Sequence, residues 1–270
     1  MIGANYDYIL VTLDGASLQN KASQRLVGTI GNAARKTNTK VVLGSVFVQL
    51  RPWFLQTSGL GDEQITEGFF GIHAYPTKAV TLPLHSPTDP DLLLKADLAY
   101  SDGLGQGLVM TDSSPTVANS FAEIYNACGV SCCVVRPALE CSLNIDHMFA
   151  IFAACELTEW PKFQDIRNKG EVWRLAVAAV KENKGLSIHG QPGQKAARET
   201  TESELAASLV AWERHMLPLD LQSFNRFHHG NKVNAQDHEH LRACLSYGEA
   251  DGNPMYALKE LLQRVESRAN

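Results

Sequence analysis

Two styles of hydrophobic patterning divide the chain. Up to about residue 136, apolar runs of strand length alternate with helix-spaced segments and turn signals. Beyond it, apolar positions recur only at helical spacing. In the first part "YDYILVTLD" and the valine-rich "KVVLGSVFVQL" read as strands. Between them "NKASQRLVGTIGNAARKTN" places Leu26, Ile30 and Ala34 on one helical face. A strand–helix–strand unit of this size predicts parallel pairing through a right-handed crossover. After Pro52 the runs shorten to "GFFGIHAY", "KAVTLPL", "DLAYSD" and "GLVMTD", an antiparallel or mixed extension of the sheet. A helix beginning at Ser114-Pro115 and ending at Gly129 leads to a last short strand, "VSCCVVRP".

From Pro137 onward the pattern predicts helices. "LNIDHMFAIFAACELTEW" is too apolar for a surface helix, whereas "NKGEVWRLAVAAVKENKG" is amphipathic. "TTESELAASLVAWERHM" opens with a capping cluster, and "NAQDHEHLRACLSYG" and "NPMYALKELLQRVESR" close the chain. "HGQPGQKAARE" reads as a flexible loop between helices. The expected architecture is therefore an α/β domain over residues 1–136 and an all-helical domain over 137–270. A cleft between such domains would be a favoured ligand site.

Composition adds little beyond exclusions. Hydrophobic residues at 44% and charged residues at 20% are ordinary for a globular protein. A net charge of −5 and the lack of a basic stripe argue against nucleic acid as a partner. "MIGANYDYILVTLDG" lacks the charged start of a signal peptide, and no run approaches eighteen uninterrupted apolar residues, so no membrane partner and a cytoplasmic location are expected. Five of six cysteines fall within 28 residues, with Cys132 and Cys133 adjacent; they read as reduced thiols, with no converging metal site.

A half-sheet followed by helices invites a dinucleotide site, which needs a glycine turn between a strand and a helix. Gly28-x2-Gly31 lies inside a helical pattern, and Gly103-x-Gly105-x-Gly107 lies between short strands. Neither meets the requirement, so no cofactor is expected.

The order of elements resembles the ketopantoate reductase family in its fungal-looking form. "YDYILVTLDGASL" resembles that family's mid-domain strand, and "LNIDHMFAIFAACELTEW" resembles the first long helix of its C-terminal domain. "SFNRFHHGNKVNAQDHEHL" resembles its active-site loop and helix. The resemblance implies a partial Rossmann-like mixed sheet ahead of a helical domain, with the family's first strand and Gly-rich turn lying before Met1. An ungapped alignment puts the family's catalytic lysine at His147, its Asn-Gly strand end at Gly44-Ser45-Val46 and its later acidic residue near Asn234; Ser223 is kept.

The histidine-rich stretch carries four of the nine histidines in nineteen residues. His238 and His240 are two positions apart, so they point to different sides of a helix and cannot both ligate one metal. They read as a solvated face above the stripe Leu241, Cys244 and Leu245, with Asn234 as N-cap. His228 and His229 precede Gly230 in a turn that the resemblance directs toward the cleft, as donor or base. The expected catalytic residues are His228, His229 and His147. Ser223, Asn225, Lys232, Glu156 and Ser45 are expected to bind substrate, although Ser223 and Asn225 also suit helix capping. Trp53, Phe54 and Trp160 read as packing residues. With no hydride donor, these groups suit a cofactor-independent cyclase or isomerase acting on an apolar small molecule, such as an intramolecular Diels–Alder enzyme of fungal secondary metabolism. The alternatives are an NADPH-dependent ketopantoate-reductase-type oxidoreductase, or a non-catalytic ligand-binding or dimerisation module. The open sheet edge would favour a homodimer.

Overall fold

The computed structural model describes residues 6–269. In chain order the first elements are β1 (Tyr8–Val11), α1 (Gly15–Leu18), α2 (Lys21–Thr37), β2 (Lys40–Leu43), α3 (Leu50–Ser58), β3 (Ile65–Phe70) and β4 (His73–Pro76). Next come α4 (Pro90–Lys95), β5 (Leu98–Ser101), β6 (Leu108–Thr111), α5 (Pro115–Asn126) and β7 (Cys133–Arg136). The rest is helical: α6 (Ala138–Ile145), α7 (Met148–Leu157), α8 (Gly170–Lys184), α9 (Gly190–Glu199), α10 (Glu202–His215), α11 (Leu221–Phe227), α12 (Asn234–Ala250) and α13 (Tyr256–Ala269). Two compact units form. One runs to Ile72 and adds Gly105–Cys141; the other takes His73–Leu104 and everything from Ser142.

The first unit is a five-stranded sheet in the order β1-β2-β3-β6-β7. β1 pairs with β2 in parallel, Ile9 opposite Val41, as the strand–helix–strand pattern requires. β6 runs antiparallel to β3, so the sheet is mixed. β2 lies inside the sheet, between β1 and β3, and its valines and Leu43 are buried because side chains alternate between two covered faces. Val41 and Leu43 join Val27, Ile30 and Phe54 on one side; Val42 joins Met110, Val117 and Ala118 on the other. Asn20 caps α2 by accepting from the Ala22 and Ser23 amides. Gly31 lets α2 approach α3, since a Cβ there would collide with the Ser58 backbone.

The second unit is built around α7, whose residues Phe149–Cys155 are all buried. α8, α12 and α13 pack against it. Glu182 caps α13 by accepting from the Ala257 and Leu258 amides at 3.0 and 2.8 Å. The Arg268 guanidinium closes the end of α7, donating to the Glu156 and Leu157 carbonyls at 2.8 Å each. By length and composition Ala138–Leu157 is apolar enough to cross a bilayer, but it is interrupted at Asp146-His147 and its second half is the core of this unit.

Several expectations are corrected. His189–Glu199 is not a loop: Gly190–Glu199 is helix α9. The run Lys78–Leu84 forms no strand, since Pro83 lacks the amide that a ladder needs. Helices α3 and α4 stand where only strands and turns were expected, and α6 and α7 divide what read as one helix. His73–Leu104, with its β4–β5 hairpin, belongs to the helical unit. Part of the leader reading falls on residues 1–5, outside the described residues.

Candidate active site

The segment read as a turn before a capped helix is neither. Helix α11 continues through a π turn, His228–Lys232, and a single non-helical residue, Val233, joins it to α12. The Val233 amide donates to the His228 carbonyl at 2.9 Å, five residues back. Inserting one residue into a helical turn re-aims its side chains, and such insertions recur at functional sites. Here it sets the rings of His228 and His229 edge to face, 4.8 Å apart. Gly230 lies against the Trp160 indole, where a Cβ would be 3.0 Å from Nε1. Trp160 and its neighbour Glu159 are held at φ +55° and +66°, backbone that only a well-determined surrounding sustains.

His229 is the best-held member. Its ring stacks on Phe152 at 3.7 Å and its Nδ1 lies 2.8 Å from Asp237 Oδ2. Burial pushes the imidazole down to about 3 and the Asp237 carboxyl up to about 8, where Glu156 adds to the upward push. Between those values the pair binds one proton and carries no net charge. The His229 side chain stays 17% exposed, so this buried acid has an outlet. His228 stacks on Phe224, and burial, with the charges of His229 and Lys232, lowers it to about 3. Its Nδ1 is buried without a partner.

A second pair flanks the first. Glu156 accepts from Asn234 Nδ2 at 2.8 Å and meets His238 Nε2 at 2.9 Å. Burial would raise Glu156, but those two contacts, with Arg268 nearby, hold it below the usual carboxylate value. Asn234 is therefore a site residue and not an N-cap. His238 and His240 are not on a solvated face: both are buried. Their opposite directions take them to different acids on α7 and the turn before it, His238 to Glu156 and His240 to Asp146.

The other expected residues are dispersed. His147 lies at the start of α7, nine residues from Glu156 and so roughly 13 Å along the axis. Its Nδ1 meets the Leu143 carbonyl at 2.7 Å, and burial, with Lys184 adding, pushes it down to about 4. Beside it, Asp146 lies 3.3 Å from His189 and 3.4 Å from His240, deep in the helical core. Ser223 donates its amide to Asp220, the buried acid held by Lys162 at 2.6 Å and His85 at 2.9 Å. Asn225 is buried and donates to Gln222, leaving its Oδ1 unpartnered. Lys232 is exposed, and Ser45, in the first unit, hydrogen-bonds the Leu13 carbonyl. Asp237, His238, Asn234, Phe152 and Trp160 are the members the pattern missed. Glu156 pointed toward them, as a carboxylate in an apolar run that needed a partner. Among the described residues no three His, Cys, Asp or Glu side chains converge to hold a metal.

No family model and no curated protein sequence matches the chain. Solved structures do. A D-mandelate dehydrogenase solved with NADH superposes with TM-score 0.62 at 12% identity, over 97% of this chain and 78% of that one. A probable 2-dehydropantoate 2-reductase from Bacillus subtilis gives 0.59 at 11% identity over 98% and 78%. A 2-dehydropantoate 2-reductase from Geobacter metallireducens gives 0.53 at 13% over 97% and 77%. The chain has a ketopantoate reductase-like fold. At these identities the likeness is one of fold.

That fold implies a nicotinamide dinucleotide, whose pyrophosphate needs free amides at a strand-to-helix turn. The described residues do not fit it. After β1 the Asp14 carboxylate already occupies the α1 N-terminus, accepting from the Ser17 amide at 2.7 Å, and would repel a phosphate. Phe47 packs over Gly15 and Phe70 over Gly44, filling the ends of β1 and β2. After β6 the first helical residue is Pro115, which has no amide to offer.

Proposed function

We propose that this protein is an oxidoreductase of the ketopantoate reductase kind, acting on a small 2-oxo or 2-hydroxy acid. All three structural neighbours bear names that carry such acids, and the fold likeness extends over nearly the whole chain. The observation that carries the reading is the His229–Asp237 pair at the π turn. Interconverting a carbonyl and an alcohol requires a proton at the oxygen, and this pair holds one to give. As oxygen gains charge, His229 would release the proton of its outer nitrogen, and the Asp237 proton would pass to Nδ1. The imidazole stays neutral and the aspartate becomes a carboxylate. No hydride step is derived, because the described residues at the strand-to-helix turns do not fit a dinucleotide.

That misfit favours a second reading, a cofactor-independent isomerase or cyclase using the same pair to polarise a carbonyl. One experiment separates the two. A panel of 2-oxo acids is incubated with the protein, with and without reduced nicotinamide cofactor, in deuterated water. Cofactor consumption matched by hydroxy-acid formation supports the oxidoreductase. Deuterium entering next to the carbonyl without cofactor supports the isomerase and overturns the first reading. Neither activity with any panel member would overturn both and leave a ligand-binding module.

A further inference from the structure

The 3-10 turn Phe163–Lys169 packs against α10 and leaves a cavity of about 350 Å³ between them, lined by no residue of the candidate active site. Small-molecule pockets span roughly 300–1,000 Å³, so the cavity is of ligand size. Its α10 wall is written in the sequence. Ser203, Ala206, Ala207, Val210, Ala211 and Arg214 recur at spacings of three and four, and so share one face of the helix. From Ser203 to Arg214 that face runs about 16 Å. The small side chains in its middle keep open a groove that larger ones would fill. The opposite wall is built on Phe163, which is buried, stacked on Trp212 at 6.0 Å and held by its amide to Glu213 Oε2 at 2.9 Å. A wall already fixed needs no further ordering when a ligand arrives.

The charge of the cavity is one-sided. Its lining holds two cations, Arg167 and Arg214, and no acid. Neither guanidinium is hydrogen-bonded or ion-paired among the described residues. The acid next to Arg214 in the chain, Glu213, turns the other way, to the Phe163 amide and to Lys162 at 3.6 Å. Two unpaired cations at one apolar groove repel each other, and an anion placed there relieves both. We propose that the cavity binds an amphiphilic anion, its unbranched aliphatic chain lying along the α10 face and its carboxylate or phosphate head received by Arg167 and Arg214. The chain matches the stretch from Ala206 to Ala211, whose lining side chains offer no hydrogen-bonding group. Ser203 and Gln164 are the only uncharged polar side chains of the lining, too few to orient a sugar or a nucleotide. An acidic protein segment is disfavoured by size, since a stable protein interface buries about 800 Å² on each partner.

Calorimetric titration of the full chain with decanoate, decyl phosphate, decanol and decyltrimethylammonium, each kept below the concentration at which it forms micelles, tests this. One saturable site per chain is expected for decanoate or decyl phosphate, and the tighter of the two names the head. Decanol and the ammonium should bind at least about tenfold more weakly. Arg167→Gln and Arg214→Gln should each weaken the anion by about tenfold, the scale of one charge-assisted contact. Arg198→Gln, at an exposed arginine outside the cavity, should leave it unchanged. Ala207→Phe fills the groove and should abolish saturable binding. Ala207 and both arginines are exposed, and an unchanged thermal melt of each free variant verifies folding. Should Ala207→Phe fail that check, the arginine variants decide. Decanol binding as tightly as the anions overturns the inference. So does an affinity for the anions indifferent to both arginine changes, and so does an absence of saturable binding by either anion.

Discussion

Two clusters of histidine and carboxylate share the helical unit, and they are built for different ends. Around Asp146, which lies in the turn before α7, His189 approaches from a 3-10 turn and His240 from within α12, stacked on Phe149 at 4.0 Å. All three side chains are buried and no strained backbone holds them. Around Asp237, the partner histidine comes from a π turn, the facing indole from two consecutive residues at positive φ, and the imidazole keeps an outlet. The same chemical pair thus occurs once where only packing needs it and once where the backbone is distorted to present it. Strain is retained where something other than stability selects for it.

The largest expected effect separates the clusters by activity. His229→Ala should lower kcat/KM by about 10²–10⁴, the usual contribution of a positioned proton carrier, with little change in the folded fraction. His240→Ala should leave kcat/KM of the folded enzyme within about threefold, since a core residue acts through stability. Steady-state kinetics on both variants, normalised to folded protein, makes the comparison. If the two lost activity equally, the division would fail.

Next in size is the reverse test. Asp146→Ala strips two buried histidines of their acid and should cost about 2–4 kcal/mol of unfolding free energy. Asp237→Asn keeps the shape of its site and should cost less than about 1.5 kcal/mol near neutral pH, where the wild-type carboxyl is itself protonated. Urea denaturation reads both.

How far these clusters were legible depends on which residues are asked about. The β1–α2–β2 unit followed from continuous apolar strands, and α7 from an apolar run with no polar face. The pairing of His229 with Asp237 was not available from periodicity. The π turn adds a residue between them, so a count at 3.6 residues per turn assigns the wrong face. His238 and His240 read as solvated for a different reason. Their burial is decided by Glu156 and Asp146, some eighty or more residues earlier in the chain. His147 was placed by resemblance to a lysine position, but side-chain contacts put it with the core cluster.

The smallest effect is a pH dependence of stability, and its sign follows from the shifts. His228, His147 and His240 are lowered from 6.5 to about 3, 4 and 4, so they make stability rise as pH increases toward 6.5. Asp237 is raised from 3.8 to about 8, so its contribution is complete below the lower value and lost as pH climbs through the higher one. His229, lowered to about 3, opposes it below 6.5. Stability should therefore fall between about pH 6.5 and 8, and Asp237→Asn should remove that fall and steepen the rise below pH 6.5, where Asp237 partly offsets the histidines. Thermal unfolding across this range checks it; an unchanged alkaline fall in the variant would point to another group.

The most direct test needs no substrate. Nitrogen NMR of the histidine rings, with His229 assigned by mutation, follows the protonation of the pair as pH is varied. The account predicts that His229 remains a neutral imidazole from about pH 4 upward, and that its only transition lies near pH 8, when Asp237 gives up its proton. A His229 that becomes cationic with a midpoint near 6.5, as an ordinary exposed histidine would, contradicts the claim that this pair stores the proton.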